Sequence, residues 1–414
     1  MKKILLGCVI FTTPMATNAA GFALIEQSGS GMGNAFAGGS AVAEDASTIY
    51  FNPAGMTYIE GTQLIGSLHL IKPSAEFNNN GSIAAAGKPS GGSGSDAGDL
   101  ALIPNFYYKM DLTDALKLGV GVNVPFGLKT EYDPTWIGRF QAIKSEVKTV
   151  NINPALAFKI NDQLSLGFGV SAMWAQATLT RAVNFGAGGE GSVKIKADDW
   201  GFGYNLGAIY QVTTDTRVGM AYRSKVDQHL EGNATFDRPA LVPPAAAPNG
   251  AISASVALPE NLSVSAFSRL NDAWDLMGDV TWTHWSRFKE LKIVRSSGAT
   301  LSTTSENWDN SVRYSIGANY HYSDTIKLRA GLAYDEEAVN DQFRTARIPG
   351  NDRKWLSLGA NWKTTTNSSI DIGYSHLFIS DASISDNQTP VNGLLKGSYD
   401  GNVNILSVQY MHNF

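Results

Sequence analysis

Six histidines, His69, His229, His284, His321, His376 and His412, are the side chains best suited to bind a metal or move a proton. None stands at metal-ligand spacing from another. Ser286 and His284 share one parity, as a nucleophile and its base on one strand would. No third member accompanies them, so a hydrolase has two of its three parts. Gly29, Gly31 and Gly33 do not fit G-x-G-x-x-G, and no strand precedes them. Arg181 and Arg313 remain. A guanidinium on a strand face either holds a carboxylate by a charge-assisted hydrogen bond or joins a solvated polar network. The chemistry on offer is holding rather than transforming, and no enzyme, cofactor or metal is expected.

Those arginines need elements to position them, and the chain supplies strands. In "WGFGYNLGAIYQV", Trp200, Phe202, Tyr204, Leu206, Ala208 and Tyr210 share one face, opposite Gly201, Gly203, Asn205, Gly207 and Gln211. In "VRYSIGANYHY", Val312, Tyr314, Ile316 and Ala318 oppose Arg313, Ser315, Gly317 and Asn319. One face is apolar and aromatic; the other is small or polar. A soluble sandwich also alternates. The connections separate the two cases. Short ones fall at 111–114, 161–163, 213–216, 271–273, 323–325 and 364–368. Longer ones fall at 78–99, 131–145, 182–198, 236–250, 296–307, 336–350 and 381–398. Regular alternation of short and long is the habit of transmembrane barrels. The count is fourteen strands, from near Thr62 to Phe414, and lipid requires the sheet to close. The fold class is all-β: a fourteen-stranded antiparallel transmembrane barrel. Pro154 predicts a bulge, because proline cannot donate to the ladder. Trp174, Trp200, Trp274, Trp282, Trp285, Tyr322, Trp355 and Trp362 crowd strand ends and predict an aromatic girdle.

Of 414 residues only 17% are charged, against about 25% in ordinary soluble proteins. Residues 1–19 read as a secretory signal, with Lys2 and Lys3 before an apolar run and small residues before the cut. "LLGC" around Cys8 resembles a lipid-attachment box, yet the apolar run continues past it. Losing Lys2 and Lys3 takes the formal charge from −5 to −7. No basic surplus remains for nucleic acid. The only cysteine is Cys8, so no disulfide framework is expected in the exported chain. "NILSVQYMHNF" ends on an aromatic with alternate apolar positions, the shape of an assembly signal read by the outer-membrane insertion machinery through Phe414. Residues 20–61 are small, glycine-rich and irregular. The place for them is inside the barrel of residues 62–414, as a hatch, since irregular backbone at membrane depth must be buried in protein.

"AGFALIEQSGSGMGNAFAGGSAVAEDASTIYFNPAG", "NVPFGLKTEY", "WIGRF", "DVTWTHWSRF" and "RIPGNDRKWLSLG" together resemble the outer-membrane long-chain fatty-acid transporters of the FadL type, including their aromatic-hydrocarbon branch. The resemblance implies a passive monomeric channel in a Gram-negative outer membrane, among lipid and lipopolysaccharide. Its implied cargo is long-chain fatty acid, with monoaromatic hydrocarbons as the alternative. A general polar porin would lack the hatch. The family's Asn-Pro-Ala, here Asn52, Pro53 and Ala54, is expected beside an inward kink in the third strand at Pro125, Phe126 and Gly127, the lateral gate. Phe22 is expected to line an inner pocket, with Arg181 and Arg313 as carboxylate holders or members of lumen networks. Phe126 faces either the gate or lipid. Trp136, Ile137 and Phe140 either form an outer capture groove or rest on the membrane. No role follows for residues 347–353.

Overall fold

The computed structural model describes residues 21–414, so the signal expected over 1–19 lies outside the described residues. Fourteen antiparallel strands close into one barrel. They are β1 (Gln63–Asn79), β2 (Ala101–Asp111), β3 (Leu116–Asn123 and Gly127–Glu131), β4 (Lys144–Lys159), β5 (Leu164–Asn184), β6 (Glu190–Gln211) and β7 (Thr216–Arg223 and Val226–Asp237). There follow β8 (Gly250–Leu258 and Asn261–Asn271), β9 (Trp274–Thr283 and Glu290–Arg295), β10 (Thr300–Ser305 and Ser311–His321) and β11 (Ile326–Asp335). The last are β12 (Arg353–Lys363), β13 (Ser368–Ile379 and Ala382–Gln388) and β14 (Gly393–Asn413). Closure is by β1 on β14, paired from Gln63↔Asn413 to Asn79↔Gly397.

The alternation read from the sequence sets the two faces. Trp200, Phe202, Tyr204, Leu206, Tyr314 and Ile316 are exposed on the outer wall, with Phe202 as much as 74% accessible. Their neighbours Asn205, Arg313, Ser315 and Asn319 are buried inside. An apolar outside over a polar inside inverts a soluble protein and suits lipid. Trp200, Trp274, Tyr322 and Trp362 are exposed, as a girdle requires. Trp285 and Trp355 are buried and belong to the interior instead.

Two expectations fail for local reasons. The register of β4 with β5 runs unbroken past Pro154, from Ile152↔Ala172 to Ala155↔Gly169, so there is no bulge. The Asn153 side chain supplies the missing donor, its Nδ2 donating to the Val170 carbonyl at 2.7 Å. The expected loops 182–198, 296–307 and 381–398 are largely strand. β5 and β6 stay paired up to Asn184↔Glu190, so the connection is only 185–189. Alternation persists there because Val193 and Ala197 still have an interior to face.

Residues 21–59 fill the lumen. Their helices α1 (Gly29–Met32) and α2 (Thr48–Phe51) and the 3-10 segment Pro53–Tyr58 are each about one or two turns long. Such short pieces have no stability of their own. They are held by the wall. Glu44 pairs with Arg329 at 2.8 Å and Lys327 at 2.6 Å, and Arg329 also pairs with Asp371 at 2.8 Å. Asp45 accepts from Gln409 Nε2 at 2.8 Å and from Ser30 at 2.6 Å. Asn34 Nδ2 donates to the Ala318 carbonyl at 2.9 Å. Wall glycines admit the hatch backbone: a Cβ at Gly331 would fall on Asn34, and one at Gly219 on the Ser40 carbonyl.

The outer face yields a direct prediction. Ile316, 60% exposed on β10, meets lipid. Ile316→Arg is expected to lower barrel stability by about 2–4 kcal/mol, read as the urea midpoint for folding into lipid vesicles.

Candidate lateral opening and its pockets

β3 is where the wall gives way. Its lower part pairs with β4 as far as Asn123↔Asn151, and its upper part resumes at Gly127↔Lys148. Four residue steps on β3 thus match three on β4, so one extra residue buckles the strand. Pro125 removes a donor and Gly127 permits a close approach, which is why the break falls here. β2 pairs with β3 only from Phe106↔Val122 to Asp111↔Lys117. Ala101 to Asn105 of β2 keep β1 on one side and have no β3 partner on the other.

The loose backbone is satisfied from inside. Residues 22–24 lie antiparallel to the buckle, with a bridge Ala23↔Phe126. Leu24 N–H donates to the Pro125 carbonyl at 2.8 Å, and Gly127 N–H donates to the Phe22 carbonyl at 3.0 Å. Asn105 is the splint: its Nδ2 donates to the Glu26 carbonyl at 2.9 Å, and its Oδ1 accepts from Val124 N–H at 3.2 Å. Gln27 Nε2 donates to the Val124 carbonyl at 2.9 Å. On the β4 side, Thr149 Oγ1 exchanges bonds with Phe126, accepting from its N–H at 3.1 Å and donating to its carbonyl at 2.6 Å.

Behind the gap lies a cavity of about 560 Å³, lined by Phe22, Leu24, Leu102, Phe126, Leu128 and Val150 among others. Leu102 and Val150 are also exposed on the outer wall, so the cavity reaches the lipid face. At its inner end Phe22 sits in an aromatic cluster. Ring centroids lie 4.9 Å from Trp285, 5.8 Å from Trp308, 5.9 Å from Phe126 and 6.3 Å from Phe288. Phe22 and Phe126, expected at an inner pocket and at a gate respectively, line this one cavity together. Trp285, Phe288 and Trp308 pack on Phe22 behind the cavity and were missed; the signal for the first two is the failure of alternation after Thr283, where a 3-10 turn, Trp285–Arg287, interrupts β9.

A second cavity, about 620 Å³, opens at the outer end. One wall is apolar, with Leu179, Ile195 and Ile293; the other carries Arg181 and Arg347. Arg181 therefore lies apart from Phe22, because β5 continues outward to Asn184 and lifts it above the inner pocket. Its Nη1 donates to the Phe140 carbonyl and to Asn392 Oδ1, each at 3.3 Å. Arg347 donates to the Gln141 carbonyl at 2.9 Å, the Ser145 hydroxyl at 2.9 Å and the Lys144 carbonyl at 3.2 Å. Neither forms an ion pair among the described residues. Burial and the neighbouring Arg181 charge push Arg347 down to about 10.

The remaining site residues go elsewhere. Arg313 is buried, donates to the Ala35 carbonyl at 2.6 Å and lies 5.2 Å over the Trp355 ring. Asn52 bonds to the Ser40 and Ala208 carbonyls at 2.7 and 3.0 Å, and Pro53 and Ala54 abut Gly167. The Asn-Pro-Ala turn thus braces the hatch against β5 and β6 and does not touch the kink. Trp136, Ile137 and Phe140 are buried and line neither of these two cavities. Trp136 stacks on Tyr132 at 4.0 Å, because loop 132–143 folds down onto Phe77 and Tyr399. His284 bonds Glu260 rather than Ser286, at 2.8 Å.

A closed barrel with an apolar belt, a packed lumen and an apolar side cavity defines an outer-membrane transport protein for hydrophobic molecules. The chain belongs to the family described as "Outer membrane protein transport protein (OMPP1/FadL/TodX)", whose model matches residues 10–414. This is a family of non-enzymatic channels of the Gram-negative outer membrane. The chain is 32% identical to outer membrane protein P1 of Haemophilus influenzae over 91% of its length and 90% of the relative's. It is 29% identical to the long-chain fatty acid transport protein of Escherichia coli K12, covering 87% of this chain and 88% of that one. A crystal structure of a Pseudomonas aeruginosa FadL homologue matches with a TM-score of 0.89 at 26% identity, over 95% of this chain and 100% of that one. The Pseudomonas putida toluene transporter TodX shares the fold, with a TM-score of 0.74 at 19% identity over 95% of this chain and 99% of that one.

The loop between β11 and β12 sets a pH dependence. Burial raises Glu337 from 4.5 to about 7, against the pull of Arg353 and of the Val339 N–H. A raised carboxylate contributes stability that is present below its unfolded value and is lost as pH climbs through 7. Glu337→Gln should flatten the decline in the urea midpoint between pH 5 and 8, a difference on the order of 3 kcal/mol at most. An unchanged slope would place the titration elsewhere.

Proposed function

We propose that this protein is a passive channel whose default cargo is long-chain fatty acid. The cargo is captured in the outer cavity, held in the aromatic inner pocket and released sideways through the gap between β2 and β3. One observation carries this reading: the apolar cavity runs from Phe22 to the lipid-facing wall where β2 loses its partner. Straight passage down the lumen is opposed by the hatch and its ion pairs.

Energetics favour the sideways route. Each CH₂ kept out of water is worth about 0.8 kcal/mol, so hydrating a tail of about sixteen carbons costs on the order of 12 kcal/mol. A side exit passes the tail from protein to lipid without that cost, and no energy source is needed. Arg181 and Arg347, charged and without carboxylate partners, suit a carboxylate head, while Leu179, Ile195 and Ile293 suit its tail. A second reading, monoaromatic hydrocarbons, is favoured by one feature: four aromatic rings surround Phe22 with centroids within 6.3 Å.

Two experiments test these assignments. Deleting residues 125–127 should lower oleate uptake at least about tenfold while the barrel keeps its heat-modifiable gel mobility. Undiminished uptake by the folded variant removes lateral release. Arg181→Ala combined with Arg347→Ala should cost oleate about tenfold or more, as lost charge-assisted hydrogen bonds do, and leave toluene uptake unchanged. Equal losses for both cargoes would remove carboxylate recognition.

A further inference from the structure

The loop 336–352 between β11 and β12 faces both cavities. Gln342, Phe343, Arg344, Thr345 and Arg347 line the outer one. Ile348, Pro349, Gly350 and Arg353 line the inner one. The chain crosses from one cavity to the other between Arg347 and Ile348, so consecutive residues form the partition. At that crossing Ile348 packs on the aromatic cluster around Phe22.

The partition is fastened mostly by side chains. Thr130 Oγ1 donates to the Arg347 carbonyl at 3.2 Å, and Tyr132 donates to the Ala346 carbonyl at 2.6 Å. The Arg347 guanidinium is tied to two carbonyls and a hydroxyl. Arg353 Nη2 donates to the Gly21 carbonyl at 3.2 Å, and its buried Nε has no partner. The loop therefore touches loop 132–143 and the upper part of β3, and β12 just beyond it touches the first described residue of the hatch.

We propose that Ile348 is the bolt between capture and release, and that Arg347 works it. A carboxylate brings an opposite charge to a guanidinium and can accept two parallel N–H···O bonds, which a single carbonyl cannot. A fatty-acid head arriving at Arg181 and Arg347 draws the Arg347 guanidinium off Gln141 and Lys144. The freed loop carries Ile348 away from Phe22 and joins the two cavities. Arg353, the first residue of β12 and paired with Asp335 and Ile379, ties the Gly21 end of the hatch to the wall, so residues 22–24 keep their anchor when the loop moves. The proposal rests on the fatty-acid reading above for its trigger, and on geometry alone for the partition.

The test uses the full chain in its membrane. The only cysteine in the sequence, Cys8, lies in the expected signal, so Ile348→Cys gives one thiol in the exported protein. Treating the folded variant with benzyl methanethiosulfonate adds bulk at the crossing without disturbing folding. Oleate uptake should fall about tenfold and recover with dithiothreitol, while the labelled protein keeps the oleate binding that Arg181→Ala removes. Ile348→Gly should raise uptake severalfold. Wild-type uptake in both the labelled protein and Ile348→Gly would overturn the proposal. So would loss of outer binding together with uptake on labelling. If oleate proves not to be a cargo of the unmodified protein, the fatty-acid reading fails. The same variants measured with toluene then decide the partition separately: the same ordering keeps Ile348 as the bolt, and no effect discards it.

Discussion

A chain in hydrocarbon must satisfy every backbone N–H and C=O from within itself, since each orphan costs several kcal/mol. Thirteen of the junctions around this barrel meet the requirement with long ladders, and the β2–β3 junction meets it over six residue pairs only. Above those pairs the work passes to other groups. Asn105, Gln27 and Thr149 side chains and the backbone of residues 22–24 complete the hydrogen bonding of the buckle. At the buckle of β3 the sheet's own bonding is thus replaced, while the facing edge of β2 is left without a strand partner. What replaces it is attached to the hatch, and this links the plug to the wall defect.

The hatch is held unevenly. Its body is fixed by Glu44, Arg329, Lys327 and Asp371, buried or half-buried charges whose separation leaves an uncompensated ion, at about 3–5 kcal/mol. Asp45 adds an internal network with Ser30, Ser47 and Gln409. Residues 22–24 are held to the buckle by two backbone hydrogen bonds, each worth about 0.5–1.5 kcal/mol net. The disparity divides one segment into a part anchored by charge and a part held by two backbone bonds and by the packing of Phe22 among four aromatic rings.

The lipid-facing side was legible because alternation is a local property. Phe202 and Ile316 obey it, and so does Arg313 on the opposite face. The buckle was expected from the resemblance, with Pro125 and Gly127 close together to support it; a lone proline such as Pro154 or Pro104 stands within an unbroken strand. What sequence withheld depends on partners far along the chain. Trp285 and Trp200 look alike locally, yet one turns inward because β9 is interrupted after Thr283. Trp136 was read as a groove or membrane-resting residue because nothing nearby shows that its loop packs on Phe77 and Tyr399. Pro154 misled for a smaller reason: its neighbour Asn153 donates in its stead. Arg181 was placed too deep because the length of β5 beyond the membrane has no marker in its composition.

The long β5–β6 hairpin fixes where the protein first meets the world outside. A tilted strand needs about 9–11 residues to cross the hydrocarbon, and these two have 21 and 22. Roughly half of the hairpin therefore stands clear of the acyl chains, and Arg181 and Ile195 stand with it. The cavity they line therefore opens at a height set by the length of two strands, well above the apolar belt.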